Sequence, residues 1–170
     1  MKAGKPIIIS GAVIALVIMT FCISFFLLSG PDKEIRRFEK EFGLKMPEET
    51  RVIFSEDDHG ALGDGTSLFI YQLNTADMSE FIKQEEVRYW WNLPFDEKMS
   101  LGITNKLKGV SSAGISSNIR FDAKKGYYLL KNRYGKTLKG YNFEDNSYSN
   151  IIIGIVDLDN NKIYYSTLDM

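Results

Sequence analysis

The chain has 170 residues, 44% of them apolar and 25% charged, which is material for one compact domain and an appendage. All 22 acidic residues lie beyond residue 30, against 19 of the 21 lysines and arginines, so residues 31–170 carry a net charge of −3 and nucleic acid is not the expected partner. The single cysteine, Cys22, and the single histidine, His59, leave residues 31–170 unable to form a disulfide, a zinc site of the usual Cys/His type or a thiol nucleophile.

The appendage comes first. From Ile7 to Leu28, "IIISGAVIALVIMTFCISFFLL" contains no charge and no proline, and only Ser10, Gly11, Thr20 and Ser24 interrupt 18 apolar residues. Wound as a helix, 22 residues reach roughly 33 Å, enough for a hydrocarbon core of about 30 Å. A cleaved signal peptide has a shorter apolar region, about 7 to 15 residues, followed by small residues. Leu27 suits poorly the position upstream of Ser29-Gly30, so an uncleaved single-pass anchor over residues 1–30 is expected. Cys22, behind bulky Phe21, does not fit a lipidation site and reads as a small apolar residue of that segment.

Lys2 and Lys5 precede the run, whereas Lys33, Arg36, Arg37 and Lys40 follow it, and a bare count places the following domain in the cytoplasm. The later cations alternate with Asp32, Glu34, Glu39 and Glu41 in a segment patterned like a folded domain, and long domains cross despite their charges. The expectation is therefore a cell-membrane protein whose domain, residues 31–170, stands outside the cytoplasm. Its membrane partner is lipid, through the N-terminal helix.

Beyond the anchor, "DKEIRRFEKEFG" sets Ile35, Phe38 and Phe42 on one helical stripe and stops at Gly43. Residues 51–58 and 66–73, rich in β-branched and aromatic side chains, predict a hairpin. "NTADMSEFIKQEE" predicts a helix capped by Asn74 or Thr75. The segment 87–107 reads as an extended aromatic stretch to Pro94, then a short helix through Met99. Residues 109–118, "GVSSAGISSN", read as a loop. Segments 126–135, 150–159 and 162–168 predict further antiparallel strands, the last two joined at Asp159-Asn160-Asn161. The fold class expected is α+β: the transmembrane helix, then one domain with an antiparallel sheet of about five strands and two to three helices on one face.

The candidate ligand-binding residues are Asp57, Asp58, His59 and Asp64 in "DDHGALGDG". Its glycines spell the reverse of a dinucleotide fingerprint and precede a strand, so no helix N-terminus is there to receive a phosphate. Asp64-Gly65 is a hairpin-turn signal. In extended geometry Asp57 and His59 share one face and Asp58 takes the other. The pair offers acid-base chemistry or, with Asp64, oxygen ligands for a cation; the structural alternative is that the acids serve the turn. "GVSSAG" misses the serine-hydrolase elbow by one position. "DLDNNK" departs from a calcium loop at Lys162 and Leu168. No catalytic residue, metal site or cofactor is assigned.

A second candidate is a contact for an anionic surface: Lys124, Lys125, Lys131, Arg133, Lys136 and Lys139, interleaved with Tyr127, Tyr128 and Tyr134 and free of acids. The alternative is a solvated strand face. The aromatic run Tyr89-Trp90-Trp91 with Pro94-Phe95 reads as core, or as a patch for a partner.

"DDHGALGDG" before a strand, Trp90-x-x-x-Pro94 and the ending "GIVDLDNNKIYYSTLD" together resemble small exported or membrane-anchored proteins of Gram-positive bacteria, a group to which no activity is attached. Ala61 departs from the second glycine that members often carry after the histidine. The resemblance spans most of residues 51–170 and implies location and fold only. The function expected is a membrane-anchored extracytoplasmic binding or interaction module that protects or assists an envelope protein or meets an anionic polymer; the alternative is an acid-base or cation-dependent enzyme centred on His59 and the neighbouring aspartates.

Overall fold

The computed structural model describes residues 13–20, 32–60, 64–110, 113–118, 122–138 and 150–169. The chain divides into two compact units, Met1–Arg37 and Phe38–Met170. In the first, residues 13–20 are helical. Most of the apolar run, residues 7–12 and 21–28, lies outside the described residues, and among those described no helix is long and apolar enough to cross a membrane.

The second unit is built on an antiparallel sheet of six strands rather than about five: β1 (Arg51–Asp57), β2 (Gly65–Gln72), β3 (Trp91–Asn92), β4 (Gly126–Asn132), β5 (Ile151–Asp157) and β6 (Lys162–Asp169), in the order β1-β2-β6-β5-β4-β3. The extra strand is β3. Two residues long, it pairs Trp91 and Asn92 with Tyr128 and Tyr127 at one edge. The opposite edge, β1, carries a register shift between Val52 and Phe54, and a bulge of this kind twists an edge away from further pairing.

Among the residues described from Asp32 on, four α-helices accompany the sheet: α1 (Asp32–Phe42), α2 (Thr75–Phe81), α3 (Glu97–Val110) and α4 (Ala113–Asn118), with a 3₁₀-helix at Glu85–Tyr89. Gly43 ends α1 as expected, its φ of 71° and its N–H on the Glu39 carbonyl closing the last turn. Asn74 caps α2, its side chain accepting the Asp77 N–H at 2.8 Å.

Three expectations require correction. The short helix near Met99 runs 14 residues to Val110, and part of the expected loop 109–118 is helix α4. Small, polar side chains do not favour a helix by propensity, but Ile115 is fully buried in the core with Met99 and Ile103, and that docking overrides propensity. The helices also do not keep to one face. On β2, Leu68 and Ile70 enter a core with Ile151, Ile153, Ile155, Tyr164 and Leu168, covered by Met99, Ile103 and Ile115. The alternate residues Phe69 and Tyr71 face the other way: the Phe69 ring stacks on Tyr165 at 5.6 Å, and Phe38 of α1 lies 5.7 Å from Tyr71 and 6.0 Å from Tyr165.

The central strands are therefore buried on both sides, which is why "SLFIY", "IIIGIV" and "IYYSTL" read as continuous rather than alternating apolar runs. One side is aliphatic. The other is aromatic, and it closes over a strand glycine: a Cβ on Gly154 would stand 2.6 Å from Trp90 and 2.8 Å from Phe42. Each buried Leu, Ile or Phe contributes about 1.5–3 kcal/mol relative to exposure.

Candidate functional site

β1 and β2 form the expected hairpin, with Asp57 opposite Ser67. Within the loop, residues 61–63 lie outside those described. Asp58 closes the end of the ladder with both its main chain and its side chain: its N–H donates to the Thr66 carbonyl at 3.0 Å, and its carboxylate accepts the Thr66 N–H at 2.6 Å. The Asp64 carbonyl accepts the Gly60 N–H at 2.9 Å. Gly65, at φ 149°, lets the strand pass under the loop, since a Cβ there would lie 2.6 Å from the Cα of His59. The glycine is needed both for its φ and for the close approach.

Asp57 and His59 share one side of the chain and Asp58 takes the other, in line with the alternation. The Nδ1 of His59 meets Oδ1 of Asp57, which also accepts the His59 N–H at 3.2 Å. The other ring nitrogen, Nε2, lies 3.1 Å from Oδ2 of Asp169, the last residue of β6. Only 15% of the histidine side chain is exposed. Asp169 is the partner that sequence reasoning missed. The register carries the signal, setting Gly65 opposite Asp169 once β2 and β6 pair, whereas the sequence pattern alone ends the last strand at Leu168.

This arrangement limits the chemistry. A general base aims a ring lone pair at its substrate; here Nδ1 is turned to Asp57 and Nε2 to Asp169. The two nitrogens point to opposite sides of the ring, and among the described residues no group of three His, Cys, Asp or Glu side chains stands where a metal ion could be held. Asp64 is exposed and takes part through its backbone.

The basic residues do not form one surface. Lys124 and Lys125 precede β4, and Arg133 and Lys136 follow it; at about 3.4 Å per residue the two pairs are roughly 27 Å apart. Lys131 turns into the domain, where its Nζ donates to the Glu41 carbonyl, lies 3.7 Å from the Glu41 carboxylate and sits 5.2 Å from the centre of the Phe42 ring. Lys139 lies outside the described residues. Within the aromatic run, Trp90 and Phe95 are buried and Trp91 packs on Tyr128 with ring centres 5.3 Å apart, whereas Tyr89 is 72% exposed.

The "DLDNNK" stretch is a hairpin turn. Asp157, 1% exposed, accepts N–H bonds from Asp159 and Asn160 and a third from the Asn160 side chain. Gln72, the last residue of β2, ties this turn to that strand by donating to the carbonyls of Asn160 and Asn161, and the Asn161 side chain donates to the Thr75 hydroxyl at the start of α2. No protein-family model, no curated protein and no solved structure matches the chain.

Proposed function

We propose that the chain is a single-pass membrane protein whose α+β domain stands outside the cytoplasm and serves as a binding module for an envelope component. The observation that carries this reading is the uncharged 22-residue run from Ile7 to Leu28 ahead of a domain that holds every acidic residue. Residues 13–20 add support: they are helical, and Val13, Ile14, Leu16, Val17, Ile18 and Met19 are each more than half exposed, an all-round apolar surface suited to lipid. A binding rather than a catalytic role is favoured by His59, whose two ring nitrogens are both turned to carboxylates of the same chain.

The test is extraction and protease access in cells carrying the full chain with a C-terminal tag. The protein is expected to stay in the membrane pellet through alkaline carbonate washing, and an external protease is expected to remove the tagged domain from intact protoplasts. Release by carbonate contradicts the anchor, and protection of the tag in intact protoplasts contradicts the orientation.

A further inference from the structure

We infer that the turn 133–136, at the far end of β4, docks on anionic lipid headgroups of the membrane that holds the chain; this rests on the anchored reading above. The turn is held stiffly. The side-chain oxygen of Asn132, itself 6% exposed, accepts the N–H groups of Tyr134 at 3.0 Å and Lys136 at 2.9 Å. Gly135, at φ 74°, donates its N–H to the Asn132 carbonyl, and the Asn132 N–H returns to the Lys136 carbonyl. Beyond the turn, Leu138 donates to the Leu130 carbonyl and is buried in the core, so the chain is fixed on both sides.

What this fixed turn presents is Tyr134, 92% exposed, between the exposed cations Arg133 and Lys136. No acidic residue occurs between Asp122 and Glu144. A single exposed aromatic is ordinary, but a tyrosine flanked by cations on a preorganised turn loses little conformational freedom on docking. Its ring suits the headgroup level of a bilayer, where an apolar body and a polar tip are both accommodated. A soluble polyanion would use the cations and leave the ring without a role. Only nine residues separate Leu28 from Phe38, at most about 36 Å of extended chain, so an anchored domain meets lipid at high effective concentration.

The experiment places the isotopically labelled full chain in lipid nanodiscs carrying a nitroxide-headgroup lipid and reads paramagnetic broadening of backbone amides. In discs of phosphatidylcholine with phosphatidylglycerol, amides 133–136 are expected to broaden well beyond those of the opposite turn 158–161. The effect is expected to fall in phosphatidylcholine alone and to survive millimolar inorganic phosphate. R133Q/K136Q is expected to reduce the docked population about tenfold or more, with the β-sheet amide shifts unchanged. Equal broadening of the two turns, or indifference to phosphatidylglycerol, overturns the docking while leaving the anchor intact. Preferential perturbation of the turn by soluble teichoic acid without any response to anionic lipid reassigns it to a wall polymer and overturns the inference. Failure of the chain to enter the discs overturns the anchor and the docking together.

Discussion

His59 and Asp169 lie 110 positions apart in the chain, yet the histidine Nε2 stands 3.1 Å from the aspartate Oδ2. Because Nδ1 of the same ring meets Asp57, the imidazole bridges the end of β1 to the end of β6 across the intervening strand β2. The loop that draws attention in the sequence thus acts first on the sheet itself: it fastens three strand ends at one corner of the domain.

Gly154 gives a packing prediction that runs against strand propensity. Alanine is normally the better strand residue, but here a Cβ would meet Trp90 and Phe42 at 2.6 and 2.8 Å, closer than carbon atoms approach without rearrangement. Gly154→Ala is expected to lose about 1–3 kcal/mol of stability, and Gly154→Val more, read from the denaturant midpoint. An unchanged or raised midpoint would mean that the aromatic layer yields freely at this point.

Tyr128 gives a prediction in alkaline solution. Its ring is buried, 4.3 Å from the Phe95 ring, and burial, followed by the Asp96 carboxylate, holds the pKa of its hydroxyl above the ordinary 10.0. In the unfolded chain the group loses its proton near 10, whereas in the folded protein it does so only at higher pH. Between those values the folded state binds more protons, so stability falls as pH rises. The contribution is complete below about 10 and is lost as pH climbs through the folded value. The melting temperature of the protein is therefore expected to drop more steeply above pH about 10 than that of Tyr128→Phe; equal slopes would contradict it.

Much of this architecture is written locally. Gly43 after a helical stripe and Asn74 before one each name a helix end through chemistry within a few residues, and each stands where expected; Asp64-Gly65 marks the hairpin, with Gly65 already the first residue of β2. The elements that sequence reasoning missed depend on distant partners. α4 is helical because Ile115 finds a core, and β3 exists because Tyr127 and Tyr128 offer it an edge. Two-sided burial was visible in the unbroken apolar run of β5, where alternation would have marked a solvated face.

The candidate site divides in the same way. The Asp57–His59 pair follows from alternation along one strand, and the opposite direction of Asp58 follows with it. Asp169 does not, because its place depends on the register between β2 and β6. The basic run misleads for a similar reason: among the described residues, its cations, close in sequence, become separate groups once a strand of about 24 Å lies between them and Lys131 turns to Glu41.

The most direct measurement is a double-mutant cycle on His59 and Asp169, with stability read by denaturant unfolding of His59→Ala, Asp169→Ala and the pair. If the imidazole is a clamp between strands, each single change is expected to destabilise the domain, and the two together to cost less than their sum, with a coupling of about 1–2 kcal/mol. Additive losses, or a His59→Ala protein as stable as the original, would contradict the clamp and return the histidine to the list of groups free for chemistry.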